Sequence, residues 1–265
     1  MFIFGKTLIM NVCLVQMNIA WGDVEGNLAC LDRMLPAVSG VDLYVLPEMF
    51  TTGFATSADS APETEPSAGL EWMRAFAASR NAAVCGSIAL DLGSSGACVN
   101  RMYFVTPDGR ATFYDKRHLF GYGGEPGKFS AGDRRVVVEY LGVRFLLAVC
   151  YDLRFPVWLR NRRDYDAMIV VANWPSVRRR AWDVLVRARA IENQCNVLAV
   201  NRVGTDPLCS YDGGTVAVGP DGSVVASVPD GESGSCICSL DMDALRSFRK
   251  SFPVLEDADS FTIVH

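Results

Sequence analysis

The chain has 265 residues, half of them hydrophobic, and a net charge of −5. That is enough apolar material for a large core and predicts one domain over residues 1–265. A nucleic-acid surface would need a basic stripe, and no stretch approaches the ~18 apolar residues of a membrane helix.

The opening, MFIFGKTLIMNVCLVQ, lacks a clear charged start and a small-residue cleavage site. It is expected to lead into a strand over Leu8–Met17 and not to be a secretory signal. Asp23 then suits the N-cap of a helix whose apolar face is Val24, Leu28, Leu31, Leu35 and Val38. A short strand follows at Leu43–Leu46, and ATSADSAPETEPSA (55–68) reads as a surface loop. Leu70, Met73, Phe76 and Ala77 give a second helical face, and Ala82–Leu90 a strand.

Val99–Val105 and Ala111–Tyr114 flank TPDG, a hairpin signal. Val136–Tyr140 and Val143–Val149 flank a tight LG turn. Ala167–Ala172 reads as a strand, and Arg179–Asn193 as a helix with Trp182, Leu185, Val186 and Arg189 marking its period. Asn196–Val200, Thr215–Val218 and Ser223–Val228 complete the sheets. Helices alternate with strands while hairpins are interleaved. Two mixed sheets packed face to face, with helices outside, satisfy both patterns.

Nine cysteines, mostly within apolar runs and without metal-like spacing, fit buried reduced thiols in a cytoplasmic protein. Cys236 and Cys238 share one side of a strand, which reads as core packing. A zinc site there would have only His118 and His265 to draw on.

Chemistry in α/β folds gathers beyond the carboxyl ends of strands. Three strands here end in an unusual group: DLYVLPE at Glu48, ATFYDK at Lys116 and RFLLAVC at Cys150. Singly, each has an ordinary explanation as a loop acid, a solvated lysine or a packing thiol. Together they suit nucleophilic catalysis. Glu48 is placed to take the thiol proton, and Lys116 to favour thiolate and stabilise an oxyanion. The backbone N–H of Tyr151 is a natural second oxyanion donor.

These residues resemble the nitrilase superfamily of carbon–nitrogen hydrolases. The resemblance runs through LVQMNIAWGDVEGN, LYVLPEMFTTGF, FYDKRHLF, VCYDLRFP and RARAIENQCNVLAVNRVG, in that order, and so covers nearly the whole chain. It implies an α/β fold, a four-layer α-β-β-α sandwich of two mixed sheets. It also implies a triad of Glu48 as general base, Lys116 as oxyanion stabiliser and Cys150 as nucleophile. Glu125, in GGEPGKFSAGD, matches the second glutamate of the family, a partner of Lys116 or Glu48.

PEMFTTGF, YDKRHLF and ANWP look most like the omega-amidase branch. That likeness implies hydrolysis of ω-amides of short dicarboxylic acids, such as 2-oxoglutaramate and 2-oxosuccinamate, through a cysteine thioester. The distal carboxylate then needs a cation. Arg178, the first of three arginines after ANWPSV, is favoured; Arg154 could also point inward, but a structural ion pair with Asp152 or another acid is the expectation. Trp174, Phe120 and Tyr122 are candidates for the pocket wall. The glycines of GYGGEPGK suggest a mobile or reshaped loop at Glu125.

A nitrilase or N-carbamoyl hydrolase would use the same triad. A non-catalytic scaffold fits less well with an intact set of four groups, and a Cys–His hydrolase using His118 fits least. No metal and no organic cofactor is implied, so activity is expected to survive a chelator. The partners expected are a small amide and a second copy of the chain, in a homodimer or larger homo-oligomer built partly from PVWLRNRRDY; nucleic acid and membrane are not expected.

Overall fold

The computed structural model describes residues 8–35, 39–56, 61–93 and 97–263. The strands of the first half are β1 (Ile9–Gln16), β2 (Leu43–Val45), β3 (Glu63–Thr64), β4 (Ala83–Asp91), β5 (Cys98–Val105) and β6 (Ala111–Asp115). Those of the second half are β7 (Val137–Tyr140), β8 (Val143–Val149), β9 (Ala167–Ala172), β10 (Asn196–Asn201), β11 (Val203–Thr205), β12 (Ser210–Asp212), β13 (Val216–Val218), β14 (Val224–Ser227) and β15 (Gly234–Asp241). The helices are α1 (Val24–Met34), α2 (Ala68–Arg80), α3 (Pro156–Leu159), α4 (Arg179–Asn193) and α5 (Met242–Ser251).

Two mixed sheets result. One has the order β15-β1-β2-β4-β5-β6, with β3 also beside β4. The other has the order β14-β13-β10-β9-β8-β7, and β11 and β12 form a separate hairpin. Both carry a central parallel trio, β1-β2-β4 and β8-β9-β10. Each trio is flanked by antiparallel strands. The sequence shows no repeat, yet the strand pattern occurs twice.

Alternation sets the layers. Met10, Val12 and Leu14 of β1 face the second sheet, while Cys13 and Val15 pack with Leu31 of α1 and Met73, Phe76 and Ala77 of α2. Phe104 of β5 meets Phe145 of β8 between the sheets, their ring centroids 5.9 Å apart. Trp182, Val186 and Ala190 of α4 belong to the same large core. The chain is thus layered as α-β-β-α, as the sequence patterning predicts.

Local chemistry explains the helix ends. Asp23 accepts from Gly26 N at 2.9 Å, capping α1. Ser67 caps α2 through Leu70 N at 3.2 Å, and left-handed Asn81 (φ 51°) closes it. α1 ends at Met34, and Val38 lies outside the described residues. Of the predicted loop over 55–68, residues 57–60 lie outside the described residues, and the part from 61 on is more structured than expected. Glu63 of β3 is buried, accepts from Ser67 Oγ at 2.9 Å and Gly69 N at 2.8 Å, and so anchors α2. β3, α5 and the β11–β12 hairpin are not among the elements the sequence predicts, and β15 extends the strand expected at Cys236 and Cys238. In β15 the inward face is Cys236, Cys238 and Leu240, so the two cysteines do pack toward the core.

Candidate active site

Lys116 directly follows β6, Cys150 directly follows β8, and Glu48 lies three residues beyond β2. The fold brings all three together with Glu125. Lys116 Nζ donates to Glu48 Oε1 at 2.9 Å and to Glu125 Oε1 and Oε2 at 2.9 and 2.8 Å. Glu48, Lys116 and Glu125 are fully buried. Three donors on one ammonium meet two carboxylates, so its hydrogen-bonding capacity is filled.

Two asparagines complete the cluster, and the sequence reading missed both. Asn100 Nδ2 donates to Glu48 Oε1 at 2.7 Å and to Glu125 Oε1 at 3.4 Å. Asn173 donates from its backbone N to Glu48 Oε2 at 2.7 Å and from Nδ2 to the Glu48 carbonyl at 2.8 Å. Asn100 has the parity of Met102 and Phe104, which face between the sheets. A polar residue at that register was the readable signal. Asn173 is the first letter of the NWP already noted.

The electrostatics follow from burial and three nearby charges. Burial pushes the Cys150 thiol well above its ordinary value, Glu48 adds to this, Lys116 opposes it and Glu125 adds again. For Lys116, burial disfavours the ammonium, but Glu125 and Glu48 outweigh it and hold the group above its ordinary value. The resting site therefore pairs a neutral thiol with a charged lysine, and its nucleophile needs a base.

Cys150 is held in a left-handed conformation, φ 47°, which a non-glycine residue adopts only when its surroundings impose it. Asp152 imposes it. This buried carboxylate accepts from Val149 N at 2.9 Å, Tyr114 Oη at 2.8 Å and His118 N at 3.0 Å, and it faces His118 Nδ1 at 2.8 Å. Arg189 of α4 grips the Leu153 carbonyl from Nε and Nη2 at 3.0 and 2.7 Å. Tyr151 sits in the first turn of the short 3-10 segment Cys150–Arg154, where backbone N–H groups lack intrahelical partners. His118 stacks on Phe155 with centroids 3.8 Å apart. Its Nδ1 is paired with Asp152, so the ring braces the same support.

Glu125 is not a solvated loop acid. Its carboxylate accepts from Phe120 N, and its carbonyl accepts from Phe129 N at 2.8 Å, so it fastens the glycine-rich loop from inside. Gly123 is required there: a Cβ would stand 2.5 Å from Phe120 Cδ1.

Above Cys150 opens a cavity of about 280 Å³. Phe120, Tyr122, Tyr151, Trp174 and Arg178 all line it, as do Phe54 and Asn173 and the hairpin residues Leu208, Cys209 and Tyr211. Arg178 lies over the Phe120 ring at 5.1 Å. Arg154 corrects an expectation. It lines the cavity and lies over Trp174 at 4.8 Å, and the acid it was expected to pair with is taken by Tyr114, His118 and Val149. Aromatic faces thus present two guanidinium groups to an otherwise apolar cavity. Among the described residues no group of three or more His, Cys, Asp or Glu side chains is arranged to hold a metal.

The family model described as carbon-nitrogen hydrolase matches residues 11–250. "Omega-amidase YafV" of Escherichia coli K12 is 44% identical over 255 residues, covering 96% of this chain and 98% of that protein. A 2-oxoglutaramate amidase of Bacillus subtilis is 31% identical, covering 93% of this chain and 96% of that protein. The crystal structure of XC1258 from Xanthomonas campestris, a CN-hydrolase superfamily protein with an arsenic adduct in its active site, superposes with a TM-score of 0.92. It is 38% identical and covers 97% of this chain and 99% of that one. The chain belongs to the carbon-nitrogen hydrolase family.

Proposed function

We propose that the protein is a thiol amidohydrolase that removes ammonia from the ω-amide of short dicarboxylic acid monoamides, of the 2-oxoglutaramate and 2-oxosuccinamate type. The observation that carries this reading is the cavity itself. It places a thiol beside a buried carboxylate–ammonium cluster and sets guanidinium groups in the same apolar space. An amide carbon at Cys150 and a carboxylate at Arg178 suit the two ends of such a substrate.

In this reading the Cys150 sulfur attacks the amide carbon as Glu48 takes the thiol proton. As Glu48 becomes protonated, Lys116 turns its Glu48 hydrogen bond toward the oxyanion, and the backbone N–H of Tyr151 donates to it as well. The C–N bond breaks as Glu48 returns the proton to the leaving nitrogen, and ammonia departs. Glu48 then draws a proton from water, hydroxide attacks the thioester, and the acid leaves as Cys150 recovers its hydrogen. Glu125 holds Lys116 and Phe120 in place throughout. Trp174 and Phe120 wall the substrate, with Tyr122 at the exposed rim.

The test is ammonia release from 2-oxoglutaramate and 2-oxosuccinamate beside simple nitriles and an N-carbamoyl amino acid, at equal concentration. Release from the ω-amides alone is expected. Release only from a nitrile or carbamoyl compound would overturn the substrate class. Arg178→Ala is expected to raise KM for the ω-amides by roughly 10- to 100-fold, in keeping with loss of a charged hydrogen bond.

We also propose a homodimer in the cytoplasm. Nine unpaired cysteines suit a reducing compartment. Val157 of α3 and Val184 and Ile191 of α4 are exposed apolar residues that suit an interface between copies.

A further inference from the structure

The β11–β12 hairpin touches the cavity only through its tip and one strand residue, Leu208, Cys209 and Tyr211. The tip is built around Asp206. One carboxylate oxygen accepts from Leu208 N and Cys209 N, both at 2.8 Å, and the other accepts from Tyr211 Oη at 2.7 Å. Behind it, the fully buried Arg202 has Nη1 at 3.8 Å from Asp206 and its guanidinium carbon 4.4 Å from the Tyr211 ring centre. Arg202 also donates to the Ile19 carbonyl at 2.8 Å and the Val203 carbonyl at 3.2 Å, which ties the hairpin root to the end of β1.

A buried charged pair is an expensive way to hold an ordinary surface turn. Its effect here is to fix one wall of the cavity. Ser176 Oγ donates to the Ser210 carbonyl at 3.0 Å, so the hairpin is also fastened to the turn that carries Arg178. Leu208 remains 60% exposed although it lines the cavity. It is an apolar side chain held at the mouth by its neighbours' hydrogen bonds.

We propose that this hairpin tip sets the longest acyl chain the site accepts, with Leu208 as the limiting contact and Asp206 and Arg202 as positioning residues. The inference rests on the reading of the protein as an ω-amidase. With the amide carbon at Cys150 and the carboxylate at Arg178, the tip closes the cavity on the carboxylate's side. A rigid tip holds those two ends at one separation, whereas a loosened or trimmed tip admits a longer chain.

The experiment measures kcat and KM for 2-oxosuccinamate, 2-oxoglutaramate and 2-oxoadipamate, monoamides of increasing length. Leu208→Ala, a change at an exposed position, is expected to raise kcat/KM for 2-oxoadipamate relative to 2-oxoglutaramate by about tenfold, the effect of one methylene of pocket space. Asp206→Ala is expected to raise KM for 2-oxoglutaramate by about tenfold while kcat changes less than about twofold, with Asp206→Asn recovering part of the loss. Hydrogen exchange should quicken at Leu208 and Cys209 in Asp206→Ala and not in the strands beneath. An unshifted length profile in Leu208→Ala, or unchanged exchange at the tip in Asp206→Ala, overturns the proposal while leaving the amidase reading intact. A wild-type protein that releases ammonia from none of the three overturns both.

Discussion

Burial and the two glutamates hold the proton on the Cys150 sulfur, against the pull of Lys116. Replacing Glu48 by Gln removes the base together with a charge that disfavours thiolate. Hydrolysis is expected to fall by about 100-fold or more, while alkylation of Cys150 by iodoacetamide at pH 7 quickens, because Lys116 then acts on the thiol with less opposition. Slower alkylation in that variant would show that Glu48 assists ionisation at rest and not only during attack. Cys150→Ala should abolish turnover without changing the melting temperature by more than a few degrees.

At the scale of the element, the joint after β8 is the feature that makes a buried cysteine usable. Asp152 ties Val149, Tyr114 and His118 into one support. In Asp152→Asn an NH2 group replaces one acceptor and faces N–H donors. The expected result is a loss of about 2 kcal/mol of stability and a fall in kcat larger than any rise in KM, read by urea unfolding and steady-state kinetics. The three groups at strand ends were legible because a charged or nucleophilic residue there stands out against the apolar run before it. The supports were less legible. Arg154 looked like a partner for Asp152 because it is near in sequence, but Tyr114 of β6 and His118, just beyond that strand, reach the carboxylate. The β11–β12 hairpin has strands of three residues around a polar tip, too short for alternation to register. β15 was legible only at its cysteines, because its inward Cys236, Cys238 and Leu240 alternate with exposed Ser235, Ile237 and Ser239 in a run of small side chains.

At the scale of the molecule, two sheets with the same strand pattern put Glu48 and Asn173 after the middle strand of each trio, β2 and β9. The catalytic cluster therefore forms across the seam between the sheets, and its stability depends on their docking. Asp166, at the root of β9, joins Arg144 of β8 at 2.8 Å and Arg249 of α5 at 3.0 Å. Burial alone would raise its carboxyl, but the hydrogen bonds and charge of Arg144, with Arg249, outweigh burial and hold it below the usual value. A depressed folded value means the stabilisation is complete above about pH 4, the unfolded range, and fades as pH falls through the lower folded value. Asp166→Asn should thus destabilise the protein at pH 7, and the difference from wild type should shrink as the pH falls below the ordinary carboxylate range. Light scattering at micromolar concentration is expected to give the mass of two chains, and a monomer would contradict the proposed pairing. The most direct measurement of the central claim is ammonia release from 2-oxoglutaramate by the wild-type protein and by Cys150→Ala, side by side at neutral pH. Steady release by the first and none by the second is the predicted result, and release that survives loss of the thiol would contradict the account.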